Sequence, residues 1–163
     1  MKLTTRGRYA VMAMADLAVY GGDQPVSLAE IAARQDISLS YLEQLFAKLR
    51  RGGLVKSVRG PGGGYMLARA KSDTRIADII LAVDEPIRTT RCAAGSPKGC
   101  MGNDGRCITH DLWEELGHQI QSFLSAVSLA DVVDKQVTNA GARMAQRLAE
   151  REPLSTVPVQ AEA

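Results

Sequence analysis

Histidine occurs only twice in this 163-residue chain, and both copies, His110 and His118, fall in one region. No Ser/His/Asp arrangement, carboxylate pair or cofactor motif can be assembled from the rest, so the residues offer no enzyme centre. Long apolar runs are missing too. The stretch after Met1-Lys2-Leu3-Thr4-Thr5-Arg6 is broken by Asp16, too short to span a bilayer or to read as a secretory signal. Cysteine is scarce and odd in number, three in all. Without a secretory signal, that count argues against a disulfide scaffold and for reduced, metal-binding or redox thiols. A cytoplasmic protein with no membrane partner is expected. What is present is a globular composition, 45% hydrophobic and 23% charged, with room for a small domain and an oligomerisation element.

The net charge of +2 hides an asymmetry. Residues 1–75 carry 12 Lys+Arg against 6 Asp+Glu, and residues 76–163 carry 8 against 12. A basic half followed by an acidic one points to a polyanion-binding module joined to a part that does not touch the polyanion. The basic half opens on a helix capped by Thr4 or Thr5, apolar nearly all round, that stops at Gly21-Gly22. Ser27-Leu-Ala-Glu30 reads as a capping box for a second, short helix with Leu28, Ile31 and Ala32 turned inward.

A third helix starts around Ser38–Ser40, after the tight turn Gln35-Asp36-Ile37, which is the helix-turn-helix pattern. Leu42, Leu45, Phe46 and Leu49 recur at helical spacing and fix its inner face. Ser40, Glu43, Gln44, Ala47 and Arg51 then face outward. Short hydrogen-bonding side chains followed by basic ones suit base edges flanked by phosphates. Gly52-Gly53 ends this helix. Two short strands, Leu54–Val58 and Tyr65–Ala68, flank Arg59-Gly60-Pro61-Gly62-Gly63-Gly64, a hairpin with a slim glycine-rich tip, in other words a wing. Arg59 at its base can enter a narrow minor groove. The glycines are not a phosphate-binding P-loop, because the Gly-Lys-Ser/Thr ending and a following helix are missing. The expected partner is double-stranded DNA.

The acidic half begins with a helix carrying Ile76, Ile79, Ile80 and Val83, expected to be capped by Asp73 or Thr74 and ended by Asp84-Glu85-Pro86. Beyond the cysteine loop, Leu112, Trp113, Leu116, Ile120, Phe123, Leu124 and Val127 form a wide apolar stripe. It stands outside the winged helix, so pairing with its copy in a second subunit is expected, and two-fold symmetry would set two recognition helices on a pseudo-palindromic site. Ser128-Leu-Ala-Asp131 caps a short further helix, and the signal fades from about Lys135.

Cys92, Cys100 and Cys107 lie on a loop broken by five glycine or proline positions, and His110 follows three residues after the last cysteine. Three thiolates and an imidazole are a ligand set for zinc or for an iron–sulfur cluster. Structural zinc sites prefer ligand pairs two to four residues apart, whereas wide glycine-rich gaps suit a cluster. His118 reads as a polar helix residue. Three readings follow: a cluster-sensing regulator, a zinc-stabilised winged-helix DNA-binding repressor, and a small redox carrier.

The segments Arg6-Gly-Arg-Tyr-Ala-Val11, Ile37-Ser-Leu-Ser-Tyr-Leu-Glu-Gln-Leu-Phe46, Val58-Arg-Gly-Pro-Gly-Gly-Gly-Tyr65, Ala82-Val-Asp-Glu85 and Cys107-Ile-Thr-His-Asp-Leu-Trp113 closely resemble the iron–sulfur cluster regulator family, IscR. The resemblance covers about residues 1–133. It implies a homodimeric winged-helix transcription factor holding one [2Fe–2S] cluster per subunit through Cys92, Cys100, Cys107 and His110. It further implies cluster-dependent promoter choice, cluster-assembly operons as targets, and the cluster-assembly machinery as cluster donor. DNA-facing candidates are Ser38, Ser40, Tyr41, Glu43, Gln44 and Arg51 on the helix-turn-helix, with Arg59, Gly60 and Pro61 on the wing. A nitric-oxide-sensing branch of the superfamily uses an N-terminal acidic ligand where this chain has Arg8. The expected fold is mainly α with a small β-hairpin wing. The expected division is a winged helix-turn-helix domain over 1–86, a cluster loop over 87–110, a dimerisation helix region over 111–135 and a flexible tail over 136–163.

Overall fold

The computed structural model describes residues 4–86, 89–90, 100, 105–139, 141–142 and 146. Helix α1 (Thr5–Tyr20) is the axis on which the body is built, with the Thr4 side chain accepting from the Arg6 N–H at its start. Ala10, Ala13, Met14 and Leu17 are buried, and α1 touches α2 (Leu28–Gln35), α3 (Leu39–Arg51), α4 (Ile76–Ala82) and α6 (Leu129–Val133). Its all-round apolarity is thus largely used inside the body, although Met12, Val19 and Tyr20 remain exposed. Asp16, which interrupts the apolar run, has a fully buried side chain that accepts from Arg34 Nε and Nη2 and from Gln35 Nε2, the closest contact being 2.7 Å. A buried carboxylate is tolerable only when paired in this way, and the pairing ties α1 to α2. Arg34 also lies over the Tyr20 ring, 4.3 Å from its centroid.

Helix α2 opens on the expected capping box, Ser27 and Glu30 each serving the other's backbone. It ends at Asp36, whose left-handed backbone (φ 52°) makes the tight turn, and Ser38 caps α3 by accepting from the Tyr41 N–H. Leu42, Leu45, Phe46 and Leu49 are all buried. The strands are β1 (Val55–Val58) and β2 (Gly64–Leu67), antiparallel with Val55 opposite Leu67 and Val58 opposite Gly64. Tyr65 sits edge-on to Phe46, 4.9 Å between centroids, and bridges to Val26. A Cβ on Gly64 would meet the Val26 carbonyl oxygen at 2.3 Å, so glycine is what lets the wing lie against the approach to α2.

One expectation needs correction. Neither Asp73 nor Thr74 caps α4. Its N-cap is Arg75, with no side-chain cap bond, while the Thr74 hydroxyl donates to the Ala70 carbonyl. The returning chain does the work instead: Ile76 N–H donates to Val127 O at 3.0 Å and Leu129 N–H to Thr74 O at 2.8 Å. The same return carries the end of segment 111–135 onto the body. Helix α5 (His110–Ala126) stands out from the body at its start, but Val127 and Leu129 are core residues and α6, with its own Ser128/Asp131 capping box, packs on α1. Residues 137–139 and 141–142, assigned beforehand to a flexible tail, are helical, and most of the rest of that tail lies outside the described residues.

Candidate nucleic-acid interface and metal centre

The outward side of α3 carries the expected set. Ser40, Glu43, Gln44, Ala47 and Arg51 are exposed, because the core takes the positions between them. Ser38 is exposed too, but its hydroxyl is already engaged as the helix cap, 3.3 Å from the Tyr41 nitrogen. Tyr41 is half-buried, its ring packed at a near-right angle to that of Tyr9, 6.1 Å between centroids. The last turn holds Lys48, Arg50 and Arg51, placing positive charge at the helix C-terminus. Arg59, Gly60 and Pro61 are exposed at the hairpin tip, where Gly60 (φ 107°) and Gly62 (φ 73°) take backbone shapes that other residues rarely adopt. Gly63 N–H closes the tip on Gly60 O at 2.9 Å. Helix face and wing tip together offer polar, basic and slender groups, the chemistry of a duplex groove and its phosphates.

The described candidate ligands, Cys100, Cys107 and His110, gather at the head of α5. His110 N–H donates to Cys107 O at 2.9 Å, a turn that sets both side chains at one helix start. Cys100 Sγ lies 3.0 Å from His110 Nδ1, and His110 is buried. Cys107 Sγ is 3.7 Å from Thr109 Oγ1. Cys100, Cys107 and His110 line one cleft of about 330 Å³ with Thr89, Thr90, Thr109 and Trp113. Cys92 lies outside the described residues. His118 is exposed on α5, away from the cleft lining and 3.9 Å from Glu115.

Several neighbours were not singled out in the sequence. Thr89 donates to the Trp113 carbonyl at 2.6 Å and packs so closely on Gly117 that a Cβ there would meet Thr89 Oγ1 at 2.4 Å, which docks the start of the ligand loop on α5. Glu114 Oε1 lies 3.7 Å from His110 Nε2, a relation that the i, i+4 spacing could have announced. Among the described residues, donor atoms of His110, Asp111 and Glu114 lie within 4.8 Å of one another, with Arg106 Nη1 3.6 Å from Asp111 and 3.8 Å from Glu114. Among the described residues no helix is long and apolar enough to cross a membrane.

Residues 3–135 match the Rrf2 family model, described as an iron-dependent transcriptional regulator. The transcriptional regulator IscR of Photorhabdus laumondii is 54% identical over 136 residues, covering 83% of this chain and 81% of that one. Among solved structures, IscR of T. potens superposes with a TM-score of 0.66 at 40% identity, over 83% of this chain and 88% of its own. CymR, the global cysteine regulator of B. subtilis, superposes at 0.71 and 32% identity, over 83% and 98%. The winged helix-turn-helix and these likenesses agree: the chain belongs to the Rrf2 family as an IscR-type, DNA-binding transcriptional regulator, not an enzyme.

Proposed function

We propose that the protein is a homodimeric sensor that holds a [2Fe–2S] cluster through Cys92, Cys100, Cys107 and His110 and lets cluster occupancy choose among promoters, cluster-assembly genes among them. The observation that carries this reading is the approach of Cys100 Sγ to His110 Nδ1, 3.0 Å, in a cleft that Cys107 also lines. Soft thiolates and one imidazole are the donor types that iron–sulfur centres take. Zinc is the second reading. The wide glycine-rich gaps between Cys92, Cys100 and Cys107 and the likeness to IscR regulators favour the cluster.

When bound, such a cluster supplies a redox centre that ties the loop to α5. The chain's own residues do the rest. His110 would offer a ring nitrogen beside the thiolates of Cys92, Cys100 and Cys107. Thr89, docked on the Trp113 carbonyl over Gly117, holds the loop's first residues beside the cleft. Ile108, Leu112, Trp113 and Leu116 are exposed apolar side chains on and before α5, and we assign them to the contact between subunits. Loading from the cluster-assembly machinery and a pseudo-palindromic operator complete the proposal.

On α3, Glu43 is an exposed carboxylate on the face turned to the duplex. Phosphate repels it unless it accepts from a base, most simply a cytosine amino group. Glu43→Ala should therefore relax discrimination between operator variants by about 1–3 kcal/mol, the size of one base contact. The sensing claim is tested by comparing site preferences of the loaded protein with those of Cys107→Ser on a randomised duplex library. Different preferred sequences are expected, and identical ones would refute it.

A further inference from the structure

Asp84 is the residue on which α4 ends. Its left-handed backbone (φ 58°) is that of a helix-ending turn, with Asp84 N–H on Leu81 O and Glu85 N–H on Ile80 O, and its carboxylate is largely exposed. That carboxylate reaches Lys48 Nζ at 2.8 Å, across from the last turn of α3. Exposed ion pairs contribute little to stability, so the fold gains little from this one. Its neighbours are more telling. The Asp84 carboxyl is held below its ordinary range first by the Lys48 hydrogen bond and charge, and further by Arg51 and Arg6. One anion thus sits among three cations drawn from the end of α3 and the start of α1.

Asp84 is also held firmly in place. Glu85, the next residue, is buried, and its carboxylate accepts from the backbone N–H groups of Thr4 and Gly7 at the start of α1. The approach is close: a Cβ on Gly7 would lie 2.7 Å from Glu85 Oε2, and the carboxylate would have to shift. Asp84 N–H donates to Leu81 O at 3.0 Å, which fixes the turn from the other side. Lys48 lies one helical turn beyond Gln44, and Arg51 one turn beyond Ala47, so the cation group continues the outward face of α3 where a duplex backbone would pass.

We infer that Asp84 is an internal stand-in for a DNA phosphate, a fixed carboxylate that occupies Lys48 and restrains the protein's affinity for any duplex. It competes with the backbone rather than with bases, so it limits non-specific binding without altering which sequence is preferred. The inference rests on the reading of α3 as the duplex-facing helix.

The test is Asp84→Asn in the full chain, since asparagine accepts the left-handed backbone and preserves the turn. Affinity is measured against salt concentration for a selected operator and for an unrelated duplex of equal length. The inference expects about threefold or more tighter binding to both, an unchanged ratio between them, and a log K against log[salt] slope steeper by about 0.9, one more phosphate neutralised. Adding Lys48→Ala to Asp84→Asn should cancel the gain. Equal affinity and slope would show a mere surface pair, and weaker binding would show that Asp84 presents Lys48 to the phosphate; either overturns the inference. Arg51→Ala serves as the control for the interface itself. If Arg51→Ala changes neither affinity nor slope, α3 does not face the duplex, whereas a normal Arg51→Ala loss with a silent Asp84→Asn sinks only the stand-in.

Discussion

Helices α3 and α5 carry the same kind of apolar stripe and put it to opposite use. In α3, Leu42, Leu45, Phe46 and Leu49 are at most 2% exposed. In α5, Leu112, Trp113 and Leu116 are 62%, 44% and 38% exposed, and only toward its C-terminal end do Phe123 and Leu124 meet the core. A stripe in sequence announces that a helix has a partner surface. It does not say whether the partner is the same chain. For α3 the partner is the body, which leaves the polar side free for DNA; for α5 the first three turns look outward, where we place the second subunit.

Truncation separates the two cases most sharply. Leu49→Ala should cost about 2–5 kcal/mol of unfolding free energy, at any protein concentration, in chemical denaturation. Leu116→Asp should leave the body folded but weaken self-association by about 2 kcal/mol or more, read as a shift to monomer in sedimentation equilibrium. If Leu116→Asp unfolds the chain instead, α5 is bound to its own body and the contrast fails. Smaller effects come from the two capping boxes of the body, at the starts of α2 and α6. Ser27→Ala and Ser128→Ala should each lower stability by about 0.5–2 kcal/mol within one denaturation transition, since both helices pack on α1. The smallest effect is in pH. Glu30 is held below its ordinary range by the Ser27 hydroxyl first and the Ser27 N–H next. A depressed folded value means that its contribution is present above the ordinary carboxylate range and is lost as pH falls through the folded value. The melting temperature of Ser27→Ala should accordingly depend less on pH between neutrality and about pH 3.

What could be read in the chain was local. The stripe in α3, both capping boxes and the glycine tip of the wing each depend on residues within a few positions of one another, and the structure places them as expected. The miss at α4 has the opposite cause. Its first N–H is met by Val127 O, 51 residues away, so no cap residue is needed next to it. Glu85 reaching Thr4 and Gly7, and Asp84 reaching Lys48, are likewise long-range pairings with no periodic signature. The ligand set was visible as cysteines and a histidine. That Cys100 meets His110 while Thr89 docks over Gly117 is geometry that spacing does not encode.

The central claim is that the cleft at the head of α5 is an iron–sulfur site. It is tested most directly by purifying the full chain without oxygen and measuring its visible absorption together with its iron, sulfide and zinc content. The account predicts a coloured protein with sulfide-to-iron charge-transfer bands, two irons and two sulfides per chain, and loss of both in Cys107→Ser and His110→Ala. A colourless protein holding one zinc per chain would contradict it.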